Sequence, residues 1–125
     1  MSFVYDAGVL VAADRNDRSV WAEHRARLEL GMAPVTTSPV VAQVSRTGRQ
    51  AQLHRFLRGC EFDPFGPDEG HAVGALLGAA GTSDVVDAHV VLVAARTGAV
   101  VLTSDLDDLS QLSEQLPSRV PLQRV

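Results

Sequence analysis

The sequence predicts an α/β domain with a mostly parallel central sheet flanked by helices, and three observations predict it. Short strand-like runs, Ser2 to Tyr5, Pro34 to Thr37 and Ala99 to Thr103, alternate with longer stretches of helical character, which is the pattern of βα units. The run from Ala99 to Thr103 is apolar almost throughout, as strands buried on both faces are. The stretch from Asp84 to Arg96 carries Val85, Val86, Val90, Val91, Leu92 and Val93 in every direction around a helix, which places that helix in the middle of a domain. At 125 residues and 46% apolar, the chain suits one domain over residues 1–125 with a single core.

Taken in order, Ser2 to Tyr5 is the first strand, and Asp6-Ala7-Gly8 turns it into a helical stretch from Val9 to Ala13. A polar loop covers residues 14–18. Ser19 reads as the N-cap of a helix from Val20 to Leu30, with Val20, Trp21 and Leu28, and Ala22 as a further candidate, turned inward. Gly31 closes it. Pro34 to Thr37 forms the second strand. Ser38-Pro39, a cap followed by proline at the first position, starts a helix carrying Val40, Val41, Gln43 and Val44. Arg49 to Leu57 is helical up to Gly59. Cys60 to Phe62 is a third strand, broken by Pro64, Gly66 and Pro67. Asp68 to Leu77 is helical again, with Gly78 and Gly81 loosening its end. The central helix and the Ala99–Thr103 strand follow, then a short helix through Asp107, Asp108 and Leu109. Val120 to Val125 is a candidate edge strand.

Net charge is −4, so no global basic field announces a nucleic-acid partner. All eleven basic residues are Arg and none is Lys, which reads as coding bias in a GC-rich genome. Any phosphate contact then falls to Arg, His, backbone or metal. Cys60 is the only cysteine, which excludes an internal disulfide or a Cys-based zinc site and points to a reducing cytoplasm. Beside Gly59 at a strand start, it reads as a buried structural thiol. No signal peptide is visible, and no uninterrupted apolar run is long enough to span a bilayer. The expectation is a soluble cytoplasmic protein with no membrane association.

Chemistry is concentrated in short carboxylates placed where apolar runs break off. Asp6 follows the first strand, Asp84 and Asp87 open the central helix, and Asp105 follows the Ala99–Thr103 strand. Parallel sheets place their sites outside the carboxyl ends of the strands. Acids gathered there repel one another unless something positive sits among them, and a hard divalent cation is the simplest candidate. Each acid also has a plainer reading. Asp84 or Ser83 suits an N-cap, and Asp87 a first-turn acid favoured by the helix dipole. Asp105 suits a cap of the short helix, with Asp107 and Asp108 as solvated first-turn acids. Asp6, flanked by apolar residues on both sides, has the weakest plain account.

Other aspartate chemistries fail on particular residues. The Asp-x-Asp pair of haloacid-dehalogenase phosphatases would need an acid where Gly8 stands. Receiver domains and Walker loops need a lysine. Glycines 74, 78 and 81 do not follow a strand, and no serine sits in a Gly-x-Ser-x-Gly elbow. His24, His54, His71 and His89 show no ligand spacing, and His89 reads as a satisfied core histidine.

Four blocks, Val4-Tyr5-Asp6-Ala7-Gly8-Val9-Leu10, Ser38-Pro39-Val40-Val41-Ala42-Gln43-Val44, Asp84-Val85-Val86-Asp87-Ala88-His89 and Val101-Leu102-Thr103-Ser104-Asp105, resemble the successive motifs of PIN domains. The closest likeness is to the VapC ribonuclease toxins of bacterial toxin–antitoxin pairs. It covers essentially the whole chain. The resemblance implies that Asp6, Asp87 and Asp105 hold Mg²⁺ or Mn²⁺ and carry catalysis. Asp84 and Asp107 fall at positions of additional acids, and Thr103 and Ser104 at hydroxyl positions beside the metal. The family's usual fourth acid aligns with Gln43, an amide, which predicts weaker metal binding. The implied reaction is hydrolysis of an RNA phosphodiester. Arg46, Arg49, Arg55 and Arg58 are candidates for recruiting phosphate, against the reading of a solvated helix face or an antitoxin contact. A VapB-type antitoxin and a homodimer are the implied partners. The alternative is a catalytically weakened PIN domain that binds RNA or an antitoxin without cleaving.

Overall fold

In the computed structural model, which covers residues 1–125, five strands form one sheet in the order β3-β2-β1-β4-β5. They are β1 (Phe3–Tyr5), β2 (Val35–Thr37), β3 (Glu61–Asp63), β4 (Val100–Thr103) and β5 (Leu122–Arg124). Every neighbouring pair is parallel, so all carboxyl ends share one edge. Parallel neighbours require crossovers, and seven helices supply them. These are α1 (Ala7–Asp14), α2 (Arg18–Glu29), α3 (Ser38–Val44), α4 (Ala51–Leu57), α5 (Pro67–Ala80), α6 (Val85–Thr97) and α7 (Leu106–Ser113). The α/β architecture with a mostly parallel sheet is the one expected.

β1 is central, and its register with β4 pairs Val4 with Val101 and Tyr5 with Leu102. Val4, Tyr5 and Val101 have no exposed surface, which accounts for the apolar character of both runs. α6 lies against the sheet with Ala88 to Val91, Val93 and Ala94 buried. Each buried Val or Leu here contributes roughly 1.5–3 kcal/mol of transfer free energy. On the other side, Tyr5 and Phe56 stack at 5.5 Å while Trp21 meets Phe56 edge-on at 5.1 Å. Cys60 is buried there too, its thiol pushed up to about 12 by burial. No single helix is long and apolar enough to cross a membrane.

Several local expectations shift. α2 is capped by Asp17, whose carboxylate accepts from the Val20 N–H at 3.1 Å, and Ser19 donates its hydroxyl to that carboxylate instead of capping. Leu28 and Ala22 face outward, and His24 takes the inward place, with its ring 3.9 Å from that of Phe56. Thr37 rather than Ser38 caps α3, accepting from the Val40 N–H at 3.2 Å. α4 starts at Ala51, two residues later than expected, and β3 is shifted by one residue. Gly78 stays inside α5, which ends at Gly81 in the left-handed conformation, φ 71°. Edge strand β5 is present but confined to three residues.

Candidate active site

The carboxyl edge of β1 and β4 gathers the acids. Asp6 follows β1; its N–H donates to the Leu102 carbonyl at 3.0 Å and its carbonyl accepts from the Val9 N–H at 3.1 Å. It therefore closes the strand pairing and opens α1 in one residue. Its carboxylate is buried, and Oδ2 accepts from the Thr103 hydroxyl at 2.7 Å. Thr103 Oγ1 also accepts from the Asp105 N–H at 2.9 Å. One hydroxyl thus fastens the end of β1 to the turn that leads into α7.

Asp84 caps α6, accepting from the Asp87 N–H at 3.0 Å. That bond orders the first turn, from which Asp87 projects with only 7% of its surface exposed. Asp105 stands at the N-cap position of α7, and Asp108 follows in its first turn. Carboxylate oxygens of Asp87, Asp105 and Asp108 all lie within 4.8 Å of one another. A cavity of about 250 Å³ runs past Asp87 and Asp108, walled by Thr82, Ser83, Asp84 and Leu112.

The electrostatics show how closely these groups crowd. Burial raises Asp87 to about 7, and the charges of Asp84, Asp6, Asp105 and Asp108 push the same way. Asp105 is raised too, first by burial and then by Asp108, Asp6 and Asp84. No arginine or histidine pairs with any of the five. Five carboxylates without a basic partner, offering oxygen donors alone, fit a hard divalent cation of the Mg²⁺ or Mn²⁺ type.

Of the residues singled out from sequence, Asp6, Asp84, Asp87 and Asp105 come together, with Thr103 between two of them. Asp107 does not join: its carboxylate is not among those that converge, and neither Asp87 nor Asp105 responds to it. Asp108, read from sequence as a solvated first-turn acid, is exposed in the first turn of α7 as expected and also brings a carboxylate oxygen to the cluster. Its spacing of three from Asp105, the same as that of Asp87 from Asp84, was the available signal. Gln43 is exposed on α3 and makes no hydrogen bond to the acids. Ser104 lies over Gly8, where an added Cβ would overlap its side chain.

The four arginines lie elsewhere. The Arg46 guanidinium donates to the Ala42 and Ser45 carbonyls. Arg55 donates to Gln52 and stacks over Trp21 at 5.3 Å, in a groove with Arg18 and Arg25. Arg49 and Arg58 are exposed. None of them lines the acidic cavity. His89 is fully buried as expected, but neither ring nitrogen has a hydrogen-bond partner. Its Nε2 lies 3.7 Å from Glu69 and 4.0 Å from Asp63, and burial lowers its pKa despite those acids.

No family model and no curated protein matches this chain in sequence. Solved structures do match. VapBC2 from Rickettsia felis, bound to a DNA fragment from its promoter, aligns with a TM-score of 0.70 at 18% identity, over 100% of this chain and 99% of that one. FitAB bound to an IR36 DNA fragment aligns at 0.66 and 14% identity, over 98% and 94%. PAE2754 from Pyrobaculum aerophilum aligns at 0.62 and 17%, over 97% and 92%. At these identities the likeness is one of fold, and the PIN-like α/β fold expected from the sequence is the one present.

Proposed function

We propose that this chain is a VapC-type PIN ribonuclease, a toxin that hydrolyses RNA phosphodiester bonds with Mg²⁺ or Mn²⁺. It would act in the cytoplasm as a homodimer and be neutralised by a VapB-type antitoxin. The observation that carries this reading is the unpaired acidic cluster at the carboxyl edge of β1 and β4, three of whose carboxylates approach within 4.8 Å. Its fold likeness to VapBC2 and FitAB supports the toxin role and an antitoxin partner.

Asp6, Asp87 and Asp105, together with Asp108, are the residues that would hold the cation. When bound, it supplies positive charge toward a phosphate and lowers the pKa of a water. The chain's own part is to orient and to exchange protons. Thr103 fixes one oxygen of Asp6 by a 2.7 Å bond, and Asp84 fixes the turn that carries Asp87. A carboxylate within reach of the attacking water takes its proton. RNA approaches this edge only once the clustered negative charge is offset, which makes cleavage conditional on metal.

The test is cleavage of single-stranded RNA by the purified protein with Mg²⁺, Mn²⁺ or EDTA. Activity should require metal and fall by orders of magnitude in Asp6→Asn, Asp87→Asn and Asp105→Asn, each still folded. Undiminished cleavage in EDTA or in Asp87→Asn would refute the proposal. A second reading, a weakened PIN module that binds without cleaving, is favoured by Gln43 where the family carries an acid. It predicts RNA or antitoxin binding with no turnover at saturating Mn²⁺, and turnover gained in Gln43→Glu.

A further inference from the structure

A groove of about 590 Å³, the largest on the surface, starts one residue from Asp6 and from Asp105, although none of the five acids lines it. It begins at Ala7 and Ser104, the chain neighbours of Asp6 and Asp105, with Gly8 beside them, and runs along α1 past Val11 and Ala12 to Arg15. Small residues give it depth. Gly8 is required at its head because a Cβ there would meet Ser104. At the far rim two charges occur, Arg15 and Asp17. The Asp17 carboxylate is already engaged by the Val20 N–H and the Ser19 hydroxyl, which lower its pKa. The Arg15 guanidinium is exposed and makes neither an ion pair nor a hydrogen bond. Of the arginines, it is the one whose groove adjoins the acidic cluster.

Resting on the ribonuclease reading, we infer that this groove carries the RNA strand flanking the scissile phosphate, and that Arg15 holds a backbone phosphate of that flank. From Asp6 to Arg15 the helix rise sets a separation of about 13 Å, which a few nucleotides of single strand cover. The groove supplies what the acidic edge cannot: an apolar floor for sugar and base faces, and a free cation to retain the chain once the reacting phosphate is in place. A guanidinium presents a planar fork of donors to phosphate oxygens. Since it would contact backbone alone, Arg15 adds affinity without sequence preference.

Fluorescence anisotropy with single-stranded RNA 12-mers of several sequences tests this. The full chain is titrated with Mg²⁺ present across a range of KCl concentrations, in an Asp87→Asn background that prevents cleavage. Arg15→Gln should weaken binding equally for all sequences and reduce the slope of log K against log salt by about 0.7, the value for one phosphate contact on a single strand. Arg119→Gln, in a separate groove with Ala94, Ala95 and Gly98, should leave the slope unchanged. Arg15→Glu should weaken binding further. An unaltered slope in Arg15→Gln, with RNA still bound, overturns the groove assignment and leaves the ribonuclease reading intact. Loss of affinity for a protein partner but not for RNA likewise overturns it and assigns the groove to that partner. Absence of RNA binding by the parent, with no cleavage by wild type, defeats both.

Discussion

Replacing Asp87 by Asn should make this protein more stable while abolishing the proposed ribonuclease activity. Asn keeps the shape of the side chain and removes the charge. Asp87 is raised from 3.8 to about 7 in the folded chain, so the folded state holds a proton that the unfolded state releases between those values. Stability therefore declines as pH rises from about 4 to about 7, and the deficit stays constant above that. About three pH units at roughly 1.4 kcal/mol each set a ceiling near 4 kcal/mol. Water at the cavity mouth screens part of it, leaving about 2–4 kcal/mol. Urea denaturation in EDTA should show Asp87→Asn ahead by that amount at pH 8, by roughly two-fifths as much at pH 5, and by almost nothing at about pH 3. Adding Mg²⁺ or Mn²⁺ at about a hundred times its Kd should return some 2.7 kcal/mol to the wild type and far less to the variant. Equal midpoints at pH 8 in EDTA would refute the reasoning, because carboxylates packed as described cannot all ionise without cost.

Three further outcomes are expected. Thr103→Val leaves a buried Asp6 oxygen without its donor and the Asp105 N–H without its acceptor; chemical denaturation should register a loss of about 2–3 kcal/mol, mostly recovered in Thr103→Ser. Asp108→Asn should weaken Mn²⁺ binding several-fold by calorimetry, while Asp107→Asn, outside the converging carboxylates, stays at the wild-type value. Gly8→Ala should lower Tm through overlap with Ser104, and the double variant Gly8→Ala, Ser104→Gly should regain most of the loss.

The parts of the fold legible in the sequence were those where burial dictates composition. α6 and β4 are apolar because they are enclosed, so pattern alone located both. Caps were harder, because adjacent residues compete for the same role. Asp17 and Ser19 can each cap a helix, and the carboxylate wins by accepting from both the Val20 N–H and the Ser19 hydroxyl. At Thr37 and Ser38 the strand register decides. α2 misled for another reason: its inward face is set by aromatic partners, and His24 stacks on Phe56 and bonds the Tyr5 hydroxyl at 2.9 Å while Leu28 is displaced outward. Within the site, acids tied to strand ends were visible because strand ends are fixed points. Asp108 was not, because choosing between it and Asp107 requires the rotational setting of α7, which depends on where that helix begins.

The strand order also governs when the site can exist during synthesis. β1 is made first, yet its partner across the acidic edge is β4, and the Thr103–Asp6 bond spans 97 residues. Closing so long a loop brings no reward until β4 is available, and parallel pairings of this kind form slowly. A nascent chain that has emerged only as far as α6 already carries Asp6, Asp84 and Asp87 but has nothing to hold Asp6 in place. Asp105 and Asp108 are still to come. The acidic cluster is thus completed only with the last fifth of the chain, and products released before β4 would lack it.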